Sequence, residues 1–170
     1  MIKLLDFFSN LLDKFIEYNY RASSHEAYVI IAMLFNRLSN SNSLIKNKAK
    51  ALMKQAFLIC QSAKIISIVA DVITLSKNMK SIALCLEDLA ILIDRDGANG
   101  VNEKLFKQLF KYVEHSDSGA RRATFTLIEK TYENQVLSEE QIMKLLGKVS
   151  QNTKLSLKEK IDKISLKPKK

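Results

Sequence analysis

A small polar residue suited to capping a helix start returns along this chain every 35 to 40 residues, in two interleaved series. Ser24, Ser62, Asn102 and Ser138 form the first series; Ser43, Asn78, Ser118 and Thr153 form the second. Each stands just ahead of an apolar run with helical spacing, where its side chain can accept from an otherwise unpaired backbone N–H. A fixed period of this length points away from one closed domain, because a unit that small buries its apolar face only against its neighbours in the chain. The pattern predicts an all-α fold, an α-solenoid of stacked helix pairs. The second series also carries charge: Lys46, Lys80, Arg121 and Lys154 fall in the first turns of its helices. A cation there opposes the helix dipole, at a cost of about 0.3–1 kcal/mol. A cost repeated once per repeat implies that these cations face something acidic.

Apolar periodicity places about nine helices, near residues 2–18, 24–38, 43–60, 62–76, 79–96, 102–115, 118–133, 138–149 and 154–165. Ala27, Ile31, Leu34 and Leu38 make one buried stripe; Ile82, Cys85, Leu86, Leu89 and Ile93 make another. Ser138 through Gln141 spells a capping box, a specific start signal. Helix breakers are scarce, with four Gly and one Pro, and Gly97 and Gly100 suit a turn between repeats. Short and longer connections alternate, so helix 2 pairs with 3, 4 with 5, 6 with 7 and 8 with 9. Helix 1 is left over. Its apolar face is wide, with Leu5, Phe8, Leu12 and Phe15 beside Leu4, Phe7 and Leu11. Such a face suits a helix flanked on two sides, and the expectation is that the chain begins inside a repeat, with one earlier repeat preceding it.

The formal net charge of +9 becomes less telling once it is located. From Lys144 onward nine Lys stand against Glu159 and Asp162, which leaves the remainder of the chain near neutrality. The reading is a solenoid over residues 1–165 followed by a basic, disordered tail over 166–170. Non-specific nucleic-acid binding by that tail is a distant alternative. Phe7, Phe8, Phe35, Phe57, Phe106, Phe110 and Phe125 fall within apolar stripes and are assigned to the core rather than to base stacking. Cys60 and Cys85 lie in apolar patterns and read as small core residues of a reducing compartment. The most apolar stretch, Ile65 to Leu75, is broken by Asp71 and is too short to span a bilayer, so a soluble cytoplasmic protein is expected. His25 and His115, the two histidines, match no metal spacing. With no phosphate-cradling loop or nucleophile elbow, the chain reads as no enzyme, with no metal and no cofactor.

In a helix-pair solenoid the turns within each pair align along one edge. The turns near Asn40–Lys46, Ser76–Lys80 and His115–Arg122 therefore form a ridge. For Arg121 two readings stand side by side: an internal pair, for example with Asp117, or contact with a partner.

These turns carry a family resemblance. Cys85-Leu86-Glu87-Asp88-Leu89 opens it; Ala120-Arg121-Arg122-Ala123 continues it, with Ile128 and Tyr132 on the same helix. The most specific block is Lys144-Leu145-Leu146-Gly147-Lys148-Val149-Ser150, followed by Ser156, Leu157, Glu159 and Ile161. Together these resemble the later part of a TOG domain of the TOG-array microtubule polymerases, most similar to a domain late in the array. The resemblance spans roughly residues 2 to 165. It implies a HEAT-repeat paddle that grips αβ-tubulin or the microtubule lattice along its turns, as a monomer within a chain of several TOG domains. It further implies a role in microtubule plus-end growth and a place at spindle or spindle pole. The implied tubulin contacts are Lys46, Lys77, Lys80, Arg121 and Arg122. Two features depart from the family pattern: the chain has no Trp, and Ile82 stands where a basic residue is usual. The alternative is a generic HEAT scaffold that holds another protein in its concave surface.

Overall fold

All the predicted helices form. The computed structural model describes residues 1–98 and 101–166. In order they are α1 (Ile2–Glu17), α2 (Ser24–Phe35), α3 (Ser43–Leu58), α4 (Ser62–Leu75), α5 (Met79–Asp96), α6 (Glu103–Phe110), α7 (Ser118–Glu133), α8 (Glu139–Leu146) and α9 (Gln151–Ser165). No strand occurs among the described residues. Gly97 takes φ +70° after α5 and accommodates the expected turn; Gly100 lies outside the described residues, as does all of the basic tail beyond Leu166.

Asn78, Asn102 and Ser138 cap helices as expected. Elsewhere the cap moves earlier. Ser23 replaces Ser24 because Glu26 then lies three residues on and closes a capping box. Gln61 precedes α4 with no side-chain cap bond. Asn42 and Asp117 displace Ser43 and Ser118, their carboxamide and carboxylate oxygens accepting from N–H groups two or three residues ahead. Ser150 displaces Thr153, whose N–H it accepts.

This shift re-registers the cations. Lys46, Arg121 and Lys154 become the residues whose N–H groups close the first backbone bond, to the carbonyls of Asn42, Asp117 and Ser150. Their equivalent in α5 is Ile82, bonded to the Asn78 carbonyl and fully buried. Ile82 therefore belongs to the core, and the exposed cation of that turn is Lys80, two residues nearer the helix start.

Two layers result. One comprises α2, α4, α6 and α8, each packed on the next; the other comprises α1, α3, α5, α7 and α9. The pairs α2–α3, α4–α5 and α6–α7 join the layers. The closest approach is between α5 and α7, where Ala83, Ala90, Ala120 and Ala123 are buried. A Cβ on Gly119 would stand 3.7 Å from that of Ala83, so small residues let these backbones come together. Phe106 and Phe110 fill the centre of the first layer's far half, ring centroids 5.7 Å apart. The assignment of every Phe to the core fails at Phe7, which is 63% exposed on α1 beside an exposed Leu4. Leu5 and Leu12 alone of that helix are fully committed, against α3.

Both cysteines are buried and unpaired. Burial pushes the Cys60 thiol up to about 11 and the Cys85 thiol higher still. The thiolate is the reactive form. Neither should react with a thiol reagent at neutral pH until denaturant is added, as mass spectrometry of alkylated protein will show.

Within the second layer α3 and α5 approach least closely. Their junction holds Asp88, a largely buried carboxyl with Lys54 and Lys50 facing it from α3. Burial pushes Asp88 up to about 6; the two lysines oppose that rise and neighbouring Glu87 adds to it. A carboxyl raised on folding holds its proton longer in the folded chain than in the unfolded one. Its contribution to stability is therefore full below the ordinary carboxylate range and is lost as pH rises through about 6. Asp88→Asn should raise stability at neutral pH by about 1–2 kcal/mol, discounted for residual solvent, and flatten the fall between acid and neutral pH. Urea midpoints measured across that range will test it.

Candidate functional site: the turn ridge

The turns within the helix pairs do line up on one edge, and side chains tie them together. Asn78 caps α5 through Oδ1 and donates from Nδ2 to Ser39 Oγ at 2.5 Å, joining the turn before α5 to that before α3. Tyr112 Oη donates to the Ile73 carbonyl at 3.1 Å. Glu114 Oε1 accepts from Ser150 N–H at 2.8 Å and from Thr153 Oγ at 2.7 Å, joining the turn before α7 to that before α9. Those hydrogen bonds hold the Glu114 carboxyl below its ordinary range. The bonds made by Ser39 and Glu114 were not anticipated from sequence, since neither residue carries a capping pattern of its own.

The five predicted cations divide. Arg121 makes internal bonds, the first of its two readings, but to backbone carbonyls rather than to Asp117. Its Nη1 donates to the carbonyls of His115 at 2.7 Å and Ser116 at 2.8 Å. Asp117 serves instead as the cap of α7, its Oδ1 accepting the Ala120 N–H at 2.8 Å. His115 braces the same turn, its Nδ1 accepting from Asp117 N–H at 3.1 Å. Arg122 points outward, 78% exposed, with a single long pairing to Glu87 at 3.2 Å. Lys77 and Lys80 are exposed and Lys46 is half-buried. None of these three lysines has a carboxylate within ion-pair distance among the described residues.

Ion pairs form on the opposite edge. There Lys130 pairs with Asp94 at 2.9 Å and with Glu133 at 2.8 Å, and Arg95 pairs with Asp96 at 2.6 Å. Asn134 and Ser62 donate to the same two aspartates. Both aspartate carboxyls are held low, chiefly by the hydrogen bonds from Lys130 and Arg95. Lys130 and Arg95 are thus neutralised on that edge, whereas Arg21, Lys64 and Lys104 there have no ion pair among the described residues.

Between the C-terminal ends of α2 and α4 and the start of α5, an open groove of about 890 Å³ runs beside the ridge. Leu75, 79% exposed, and Tyr28, 40% exposed, stand on its rim. Leu75 falls outside the α4 stripe of Ile65, Val69, Val72 and Ile73, a sequence signal that marks it as outward-facing. Among the described residues no His, Cys, Asp and Glu cluster is placed to hold a metal, and no helix is long and apolar enough to cross a membrane.

No protein-family model matches the chain. Over 161 residues, 95% of its length, it is 22% identical to protein mini spindles of Drosophila melanogaster, of which it spans 8%. A solved chain from work on TOG–tubulin binding specificity in microtubule dynamics and mitotic spindle formation superposes with a TM-score of 0.78 at 21% identity, over 94% of this chain and 60% of that one. The TOG domain of C. elegans Zyg9 superposes with a TM-score of 0.82 at 16% identity, over 97% of this chain and 61% of that one. The chain thus spans less than two thirds of each of these neighbours. Its two-layered stack of helix pairs is the helical-repeat fold of a TOG domain.

Proposed function

We propose that this chain is a non-enzymatic module that binds tubulin or the microtubule lattice through its turn ridge, and that it serves microtubule plus-end growth and spindle or cytoskeletal organisation. The observation that carries this reading is the ridge itself: side chains tie its turns together, and along it stand Lys46, Lys77 and Lys80, with no ion pair among the described residues, and the exposed Arg122. Open cations of one sign on a prearranged edge speed encounter with an acidic surface and fix its orientation. Similarity to mini spindles and to a chain studied for TOG–tubulin binding supports the choice of partner. Lys46, Lys77, Lys80 and Arg122 are the contact residues; Arg121 acts through the turn it holds. The cell compartment that follows is the cytoplasm, at microtubules or the spindle. Size-exclusion co-elution with unpolymerised tubulin, together with co-pelleting on microtubules, tests the reading. Absence of both, for a folded chain at low ionic strength, would overturn it.

A further inference from the structure

Beside the ridge, the groove between α2, α4 and α5 adds room and apolar surface to two of the ridge's cations. Its volume of about 890 Å³ accommodates several side chains, and it is open along one side. Ala32, Phe35 and Val72 give it an apolar lining, and Leu75 and Tyr28 expose apolar surface to water beside them. Lys77 and Lys80 stand at one end, unpaired among the described residues. One carboxylate, Asp117, also lines the groove; its Oδ1 faces the Ala120 N–H at the start of α7, and the two lysines outnumber it. The wall does not need to reorganise, because Asn78 is fixed both to α5 and to Ser39.

An enclosed metabolite would need walls on all sides, which this groove lacks. An extended chain fits the open shape, an apolar side chain fits the apolar lining, and carboxylates match the lysines. We propose that the groove binds a short acidic peptide segment of a partner protein, one that carries a bulky apolar side chain which seats against Ala32 between Tyr28 and Leu75. The assignment leans on the ridge reading only in that Lys77 and Lys80 serve both.

The probe is a fluorescein-labelled peptide of alternating Glu and Asp with a central Leu-Phe pair, titrated by fluorescence anisotropy. Saturable binding is expected. Ala32→Trp, which adds bulk to the lining and changes no charge, should weaken it at least about tenfold, and so should Leu75→Ser, an exposed change that spares the core. An all-Glu peptide of equal length should bind about tenfold more weakly than the probe. Equal binding of the two peptides, or probe binding unchanged in both the Trp and Ser variants, would overturn the assignment. Failure of the peptide experiment with tubulin co-elution intact removes the groove site and leaves the ridge reading standing. Groove-dependent peptide binding without tubulin co-elution does the reverse.

Discussion

The triple variant K77E/K80E/R122E should keep the circular-dichroism spectrum of the parent and lose co-elution with tubulin by a factor of about a hundred or more. All three side chains project into solvent, and among the described residues only Arg122 has an ion-pair partner, at 3.2 Å. Reversal therefore removes little from the fold, whereas setting like charges against an acidic surface costs several kcal/mol. Arg121→Glu is expected to act by another route. It removes two hydrogen bonds to carbonyls and leaves those oxygens facing a carboxylate, so the turn before α7 should loosen and stability fall by about 1–3 kcal/mol. A shifted urea midpoint for R121E beside an unshifted one for the triple variant separates positioning from contact. Tubulin binding retained by the triple variant would overturn the ridge as the binding edge.

The largest loss of stability should come from Phe106→Ala. Phe106 is buried on α6, paired with Phe110, and α6 is a short helix lying between α4 and α8. Truncating a buried Phe costs about 3–5 kcal/mol, through lost burial and the cavity left behind. For a chain of this size the melting temperature should drop by roughly 2–4 °C per kcal/mol, or about 6–20 °C in all. The damage should be uneven, because stability in a stack is a sum of nearest-neighbour terms. Residues 139–165 rest on α6 and α7, so their amide exchange should accelerate more than that of α1 to α3. Uniform acceleration would mean that the stack melts as one unit.

Helix number and the pairings α2–α3, α4–α5 and α6–α7 were legible because caps and stripes are local signals. Helix ends were less so. The stripe of α2 runs on to Leu38, yet the helix stops at Phe35; Leu38 is fully buried from within the turn. Tyr112 and Val113 are likewise buried beyond the end of α6. Where a turn sends side chains into the core, apolar spacing cannot tell it from helix. The cations of the ridge were legible by charge, but their availability was not. Arg121 binds backbone carbonyls, which every residue type carries, so no pattern in the sequence could assign its partner. The groove was invisible for a related reason: residues of α2, α4 and the start of α5 line it together, and no local pattern joins them.

The junction of α3 and α5 has a mechanical consequence. On either side of it the helices lie closer, α1 against α3 and α5 against α7. At the seam itself Asp88 faces Lys50 and Lys54 with no hydrogen bond joining them, and the two backbones stand farther apart. A beam loaded at its edge yields where it is least stiff. Strain applied along the ridge will therefore collect at this seam, so that the two halves of the stack adjust their relative pitch while each keeps its own shape.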